Sequence, residues 1–256
     1  MKFTGDIGQW QRRAGESPEG VARRLAVFEA LMPQPGMRIL DIGCGGGHLL
    51  YELARAVGPA GRTVGIDLSE EQLEVARARC SELASVELFT ADVCDLPMDD
   101  GAFDAATAVQ TLEYVPDVDR ALAETRRVLR TGGRVAFVSV LWDTFRFHGP
   151  DPVLNERITE AWRAHCPHQM LPAEMPARML AAGLEAVNQR TLAFFNPSYH
   201  ENCLSYWAAK LMAVFAVGQG VPKEDTETWL AQLAQADKDG RYGFVSVPVL
   251  TVGFAA

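Results

Sequence analysis

Short apolar runs and amphipathic stretches take turns along the first half of the chain. Residues 19–32 carry Val21, Leu25, Phe28 and Leu31 at helical spacing, and Pro33-Gln34-Pro35-Gly36 ends that helix. Ile39, Leu40 and Ile42 form a buried-strand signature; seven residues later Leu49, Leu50, Leu53, Ala54 and Val57 begin to recur on one helical face. Gly58-Pro59-Ala60-Gly61 stops that helix, and Arg62 to Asp67 is a second short strand. Ser69-Glu70-Glu71-Gln72 is a capping box that opens a helix with Leu73, Ala76 and Cys80 inside. Val86 to Thr90 and Phe103 to Val109 are the third and fourth strands, the latter with Gln110 at its end. Asp117 caps a helix through Leu129, Thr131-Gly132-Gly133 turns the chain, and Arg134 to Leu141 is a fifth strand. Such regular alternation predicts an α/β fold with a parallel sheet covered on both faces.

The pattern changes at residue 142. Residues 142–171 are rich in aromatics and histidine, with a helix expected around Val153 to His165. Pro172 to Ala182 reads as a short helix, Leu184 to Phe195 contains a sixth strand, and Ser198 to Val217 and Pro222 to Ala236 read as helices. Phe244 to Phe254 is the last strand. Its Pro248 cannot donate to a ladder, so a bulge or a non-bonding position is expected there.

Composition narrows the class. The 256 residues are 48% hydrophobic, enough for one domain with a sizeable core, and the net charge of −9 disfavours a nucleic-acid partner. Five scattered cysteines without a Cys-x-x-Cys pair suggest neither a disulfide framework nor a zinc site. The start of the chain has no apolar leader segment, and its longest apolar runs, such as Leu211 to Val217, are too short to cross a bilayer. The expectation is therefore a soluble cytoplasmic protein, with no metal and no membrane partner.

The chemistry concentrates in Asp41-Ile42-Gly43-Cys44-Gly45-Gly46-Gly47-His48. Glycines at a strand-to-helix turn allow positive φ and bring backbone amides close to a ligand. The dinucleotide fingerprint G-x-G-x-x-G fails, because its last position, counted from Gly43, is His48. The pattern Asp41-x-Gly43-x-Gly45-x-Gly47 instead resembles motif I of class I S-adenosylmethionine (SAM)-dependent methyltransferases. Four further positions match in order: Asp67 closing the second strand, Asp92-Val93 after the third, Leu96-Pro97-Met98-Asp99-Asp100-Gly101-Ala102-Phe103-Asp104 entering the fourth, and Leu129-Arg130-Thr131-Gly132-Gly133 before the fifth. The resemblance covers roughly residues 37–141 and is closest to small-molecule methyltransferases of the ubiquinone/menaquinone-biosynthesis type.

That resemblance implies a Rossmann-like, seven-stranded, mostly parallel sheet with helices on both faces and an antiparallel last strand. It implies a single domain: an N-terminal helical lid (1–36), a SAM-binding core (37–141) and a substrate-side half with helical insertions (142–256). Cofactor-binding residues would be Asp41, Gly43, Cys44, Gly45, Gly47, Asp67, Leu68, Gln72, Asp92, Val93 and Gln110. Asp67 would take the ribose hydroxyls, Leu68 the adenine face, and Asp92-Val93 the adenine edge. The segments after strand five would roof the acceptor, with Trp142, Phe145, Phe195, Tyr206 and Trp207 lining an apolar or aromatic pocket. Trp10 either anchors a helix beside the domain or faces a ligand from the lid.

If the acceptor needs a base, His148, His168 and Tyr199 are the main candidates, ahead of Asp143, His165 and His200. The family often has histidine at the position of Tyr114, so a base or ligand there is not carried over from the resemblance. The expected activity is methyl transfer from SAM to a small molecule (an O-, N- or C-acceptor) in specialised metabolism, releasing S-adenosylhomocysteine, by a monomer or homodimer. Two rival readings are a SAM-binding protein that performs another reaction and a non-catalytic binding module.

Overall fold

The apolar runs of the first half become strands because both sheet faces are covered, so each strand can bury successive side chains on opposite sides. The computed structural model describes residues 5–256, with only the backbone for Ala186 and Val187. Strands β1 (Arg38–Ile42), β2 (Arg62–Asp67), β3 (Val86–Thr90) and β4 (Phe103–Val109) fall where the sequence places them. Leu40 and Ile42 of β1 point into one core with Val118 and Leu122 of α5 (Val118–Val128) and Met175 and Met179 of α7 (Leu171–Ala181). Ile39 points the other way, against Val27 and Leu31 of α2 (Pro18–Leu31) and Leu49 and Leu53 of α3 (His48–Val57).

The main sheet has seven strands in the order β3-β2-β1-β4-β5-β10-β7, where β5 is Leu129–Val140, β7 is Leu184–Thr191 and β10 is Pro248–Ala255. Every pair is parallel except those made by β10, which runs antiparallel to both neighbours. The expected fold class is therefore observed. Thr131-Gly132-Gly133 forms an excursion inside β5: Leu129 faces Phe103, Arg134 faces Ala105, and Gly132 takes φ +73° between them.

Two compact units divide the chain. The one with the seven-stranded sheet comprises residues 23–140, 170–192 and 248–256. The other comprises residues 5–22, 141–169 and 193–247 of those described. It contains α1 (Gly5–Glu16), α6 (Pro152–Trp162), α8 (Leu204–Gly218), α9 (Lys223–Lys238) and a second sheet, β6-β9-β8. That sheet joins Arg146–His148 (β6), Gly243–Ser246 (β9) and Phe194–Asn196 (β8), all antiparallel.

The second sheet changes the reading of Pro248. The single last strand expected over 244–254 is two strands in two different sheets, and Pro248 opens the second of them. It neither bulges the strand nor interrupts a ladder, because the first residue of a strand tolerates a missing donor. The helix expected from Ser198 begins at Leu204 instead: Cys203 takes an extended N-cap conformation (φ −97°, ψ 142°), and the residues before it form turns.

Candidate functional site

β1 ends in an acid and then in a loop that only glycine could make. Gly43, Gly45 and Gly47 take φ of +67°, +52° and +74°, the left-handed region where L side chains are strained. Space is also limiting at two of them. A Cβ on Gly43 would lie 2.2 Å from Thr111 Oγ1, and one on Gly47 would lie 2.9 Å from Ala76 Cβ. Gly47 then N-caps α3 without any side-chain hydrogen bond. Backbone and side chains from neighbouring strands fix the loop: Cys44 N donates to Ile66 O (2.9 Å), Gly45 N to Asp67 Oδ2 (3.0 Å) and Arg79 Nε to Gly46 O (2.8 Å).

The parallel order β3-β2-β1-β4 brings the carboxyl ends of these strands to one edge, the place where ligands bind in open α/β sheets. Asp41, Asp67 and Asp92 follow from it. Asp67 Oδ1 accepts from Ser69 N (2.9 Å) while its Oδ2 holds Gly45, so one carboxylate ties the end of β2 to the glycine loop. Asp92 is exposed, and its Oδ1 accepts from Cys94 N (2.9 Å). Val93 buries its side chain in the sheet core, which leaves its backbone for any ligand. Leu68, next to Asp67 in the chain, is 73% exposed, so its side chain is open to contact with a ligand. The Gln72 side chain is buried at the first turn of α4 (Glu70–Arg79), and its N–H donates to Ser69 Oγ (3.4 Å). The Cys44 thiol, buried beside Asp41 and Asp67, is held well above its ordinary pKa, chiefly by desolvation, and is no nucleophile.

Asp41 sets the electrostatics. It is 3% exposed, its Oδ2 has no hydrogen-bond partner, and burial, reinforced by the nearby charge of Asp67, pushes its carboxyl up to about 8. Burial also raises Asp67, against the backbone N–H groups that hold it. A cation placed beside these two acids would favour their ionised forms, so the pair suits a cationic ligand group.

Asp41→Asn tests that charge through stability. The ordinary carboxyl value is 3.8, so between about pH 4 and pH 8 the unfolded chain gives up a proton that folded Asp41 keeps. A raised carboxyl therefore costs the fold stability progressively as pH rises through that window. Glu113 acts in the same sense, pushed up to about 7 chiefly by burial, so the variant must be compared with the unaltered protein. Calorimetric melting of Asp41→Asn at pH 8 should give a higher Tm by several degrees, at about 2–4 °C per kcal/mol. The difference should vanish near pH 4. A Tm at or below that of the unaltered protein at pH 8 would contradict the buried charge.

Gln110 was expected at the site; Arg23, Thr111 and Glu113, which shape it with Gln110, have no motif to announce them. Gln110, after β4, has φ +51°, its N donates to Val138 O (2.7 Å), and its side-chain oxygen accepts from the guanidinium of buried Arg23 on α2. Thr111 covers Gly43, and Glu113 is fully buried two residues on. Sequence offers little signal for these roles: Arg23 sits in a polar helix turn, and a left-handed glutamine has no local signature.

The remaining candidates lie in the other unit. Trp142 and Phe145 are buried in a chain of rings: Trp142 meets Phe145 (centroids 5.0 Å), Phe145 meets Phe244 (4.7 Å), and Phe244 meets Phe147 (4.5 Å). These contacts make both residues part of that unit's core. Trp10, Tyr206 and Trp207 gather around the Lys210 ammonium, whose nitrogen is 5.8, 4.7 and 5.3 Å from the three ring centroids. Phe195 is 56% exposed, with its ring over Gly243.

The three candidate bases sit on separate elements: His148 is exposed on β6, His168 half-buried before α7, and Tyr199 half-buried before α8. Burial holds the Tyr199 phenol well above its ordinary value, which suits a hydrogen-bond donor better than a base. His165 stacks on Trp162 (4.1 Å) and bonds to its carbonyl oxygen (2.7 Å); burial lowers its pKa to about 4, so it is a neutral strut. His200 is exposed, and its Nε2 lies 3.4 Å from Cys203 Sγ. Asp143 accepts from Arg163 (2.7 Å).

Part of the sequence and the fold are similar to those of known proteins. Residues 40–137 match a family described as a methyltransferase domain. An uncharacterized 37.1 kDa protein in transposon TN4556 of Streptomyces fradiae is 39% identical over 158 residues, 62% of this chain and 45% of that one. The 2-phytyl-1,4-naphtoquinone methyltransferase of Synechococcus elongatus is 41% identical over 110 residues, 42% of this chain and 47% of that one. The chain thus spans about half the length of the curated relatives it matches. Among solved structures, geranyl diphosphate C-methyltransferase from Streptomyces coelicolor A3(2), in complex with Mg2+, geranyl diphosphate and S-adenosyl-L-homocysteine, superposes with a TM-score of 0.58. Identity is 18%, with 92% of this chain and 78% of that one covered, so the likeness is one of fold.

Proposed function

We propose, for a chain whose residues 40–137 belong to the methyltransferase domain family, SAM-dependent methyl transfer to an apolar or aromatic small molecule, with S-adenosylhomocysteine as the second product. The observation that carries this reading is the buried Asp41, with an unpartnered oxygen, beside a glycine loop held by Asp67. A cation relieves that pair, and SAM brings two, an ammonium and a sulfonium.

Bound there, SAM supplies a methyl group that is already electrophilic. The chain's residues then bind, orient and keep the site dry. Asp67 accepts from the ribose hydroxyls, its two oxygens having capacity beyond Gly45 and Ser69. Asp41 balances the ammonium, Leu68 covers one adenine face, and Asp92 and the Val93 backbone meet the adenine edge. The loop amides from Gly43 to Gly47 frame the methionine portion, with Cys44, Gln72 and Gln110 closing its sides. Alignment of acceptor and methyl donor is the main source of rate, on the order of 7–11 kcal/mol at best. Where the acceptor is a phenol or an acidic carbon, His148 or His168 takes its proton and Tyr199 donates a hydrogen bond. Trp10, Phe195, Tyr206 and Trp207 are the aromatic residues proposed for the acceptor, while Trp142 and Phe145 belong to the core of their own unit.

The naphthoquinone substrate named for the Synechococcus relative supports the aromatic class. The reading is of a cytoplasmic biosynthetic enzyme, monomeric or homodimeric; among the described residues no helix is long and apolar enough to span a membrane, and no group of three or more His, Cys, Asp or Glu side chains is placed for a metal. The test is incubation with SAM and a panel of naphthoquinols, phenols and prenyl diphosphates, read by mass spectrometry. Gain of one methyl with matching release of S-adenosylhomocysteine is expected for at least one acceptor class. Tight SAM binding with an acceptor converted but not methylated would replace methyl transfer by another SAM-supported reaction.

A further inference from the structure

We infer that Arg23 is a positioning residue for the cofactor loop: it grips the side chain of Gln110 and so holds the backbone turn that lays Thr111 on Gly43. The inference rests on the reading that this loop holds SAM. Among the described residues, Met32 and Gln110 are the non-glycine residues with positive φ. Met32 directly follows helix α2, where a left-handed residue is ordinary, and its N–H closes the last turn on Phe28 O (3.0 Å). Gln110 has no such excuse. It follows a strand, and glutamine lacks the short side chain with which Asn or Asp eases this conformation.

A strained backbone persists only where its surroundings over-determine it, and such residues gather at functional sites. Two holds are visible at Gln110. Its N–H donates to Val138 O (2.7 Å) on β5, and its side-chain oxygen accepts from the Arg23 guanidinium, 87 residues away in sequence. The turn they fix has one direct consequence. Thr111 Oγ1 and Cγ2 come within 2.2 and 2.4 Å of where a Gly43 Cβ would stand, so Thr111 forms the wall against which the glycine loop starts. Returning Gln110 to the right-handed region would swing Thr111 off that loop. Arg23 is itself buried, and its charge acts on the buried Glu113 carboxyl at the far end of the same turn. Packing alone would be served at least as well by an apolar residue, because buried charges are weak stabilisers.

A double-mutant cycle read by calorimetric titration with S-adenosylhomocysteine tests this. Gln110→Gly removes the grip and the strain together, since glycine takes positive φ unaided. Arg23→Leu should weaken affinity about tenfold in the natural background and less than about twofold in the Gln110→Gly background. Thermal melting should show Arg23→Leu costing less stability in the Gln110→Gly background, where the hydrogen bond it breaks is already gone. If Arg23→Leu does not fold, Arg23→Gln, which can still donate to the Gln110 oxygen, replaces it and should show a smaller loss with the same dependence on background. Equal affinity losses in both backgrounds, or none in either, would overturn the positioning role. Failure of the unaltered protein to bind S-adenosylhomocysteine would instead overturn the reading of the loop.

Discussion

Asp67→Ala lowers affinity for S-adenosylhomocysteine by about 100-fold or more. The ribose offers two hydroxyl donors, and a hydrogen bond to a charged acceptor is worth about 1.5–3 kcal/mol, so losing both exceeds two decades. A second loss adds to the first. The same carboxylate holds Gly45 N and Ser69 N, so alanine also unties the glycine loop from the end of β2. Asp67→Asn separates the two effects. An amide has one accepting oxygen where the carboxylate has two, so it keeps up to two of these four donors well placed and should lose about tenfold, between alanine and the natural residue. Calorimetry on all three proteins checks the order. Equal dissociation constants for Asp67→Ala and the unaltered protein would remove Asp67 from the site.

Gly43→Ala has a comparably large effect through sterics. Its Cβ would meet Thr111 Oγ1 at 2.2 Å, and alanine at φ +67° is strained even in open space. The left-handed conformation costs about 1–3 kcal/mol and the overlap about 1–3 more. Relief requires Thr111 or the loop to move, and either movement reshapes the methionine-binding portion. The expected result is a loss of S-adenosylhomocysteine binding of about 100-fold with a Tm several degrees lower. Adding Thr111→Gly removes the overlap but leaves the φ strain, so the double variant should recover part of both losses. If Gly43→Ala binds and melts like the natural protein, Thr111 is not the wall of this loop.

These contrasts show which parts of the molecule could be read from its residues. The bounds of β2, β3 and β4 were legible because each lies between strong punctuation; β2 and β4 are buried along most of their length, whereas β3 is an edge strand with largely exposed side chains. The expected cofactor loop was legible for the same reason, since alternate glycines have few other uses. The second sheet was not. β6 and β8 are three residues long, too short to show a period, and β9 merges with β10 in the sequence because only Pro248 marks the change of sheet. Helix α1 was expected only as part of an N-terminal helical lid and without bounds of its own, because its apolar stripe is thin (Ile7, Trp10 and Ala14); it packs on α8, an element distant in sequence.

The electrostatics of the site were half visible. The acids at the strand ends could be seen, but not that Asp41 is dry enough to resist ionisation while Asp92 stands in solvent. That difference depends on what covers each strand end, which no local pattern encodes. The Gln110 turn and its Arg23 clasp lay beyond sequence for the same reason: both depend on a contact between residues 87 positions apart. The aromatics after residue 141 could be counted but not sorted. The structure separates Trp142 and Phe145, which are core, from Trp10, Tyr206 and Trp207, which meet at Lys210.

Amide hydrogen exchange with and without S-adenosylhomocysteine tests the central claim most directly, because it reports where the ligand sits. Slower exchange should concentrate at the amides of residues 43–47, 68–69 and 93–94, the three strand-end segments that carry the glycine loop and the acids. Protection confined to other segments, or none at saturating ligand, would contradict the account.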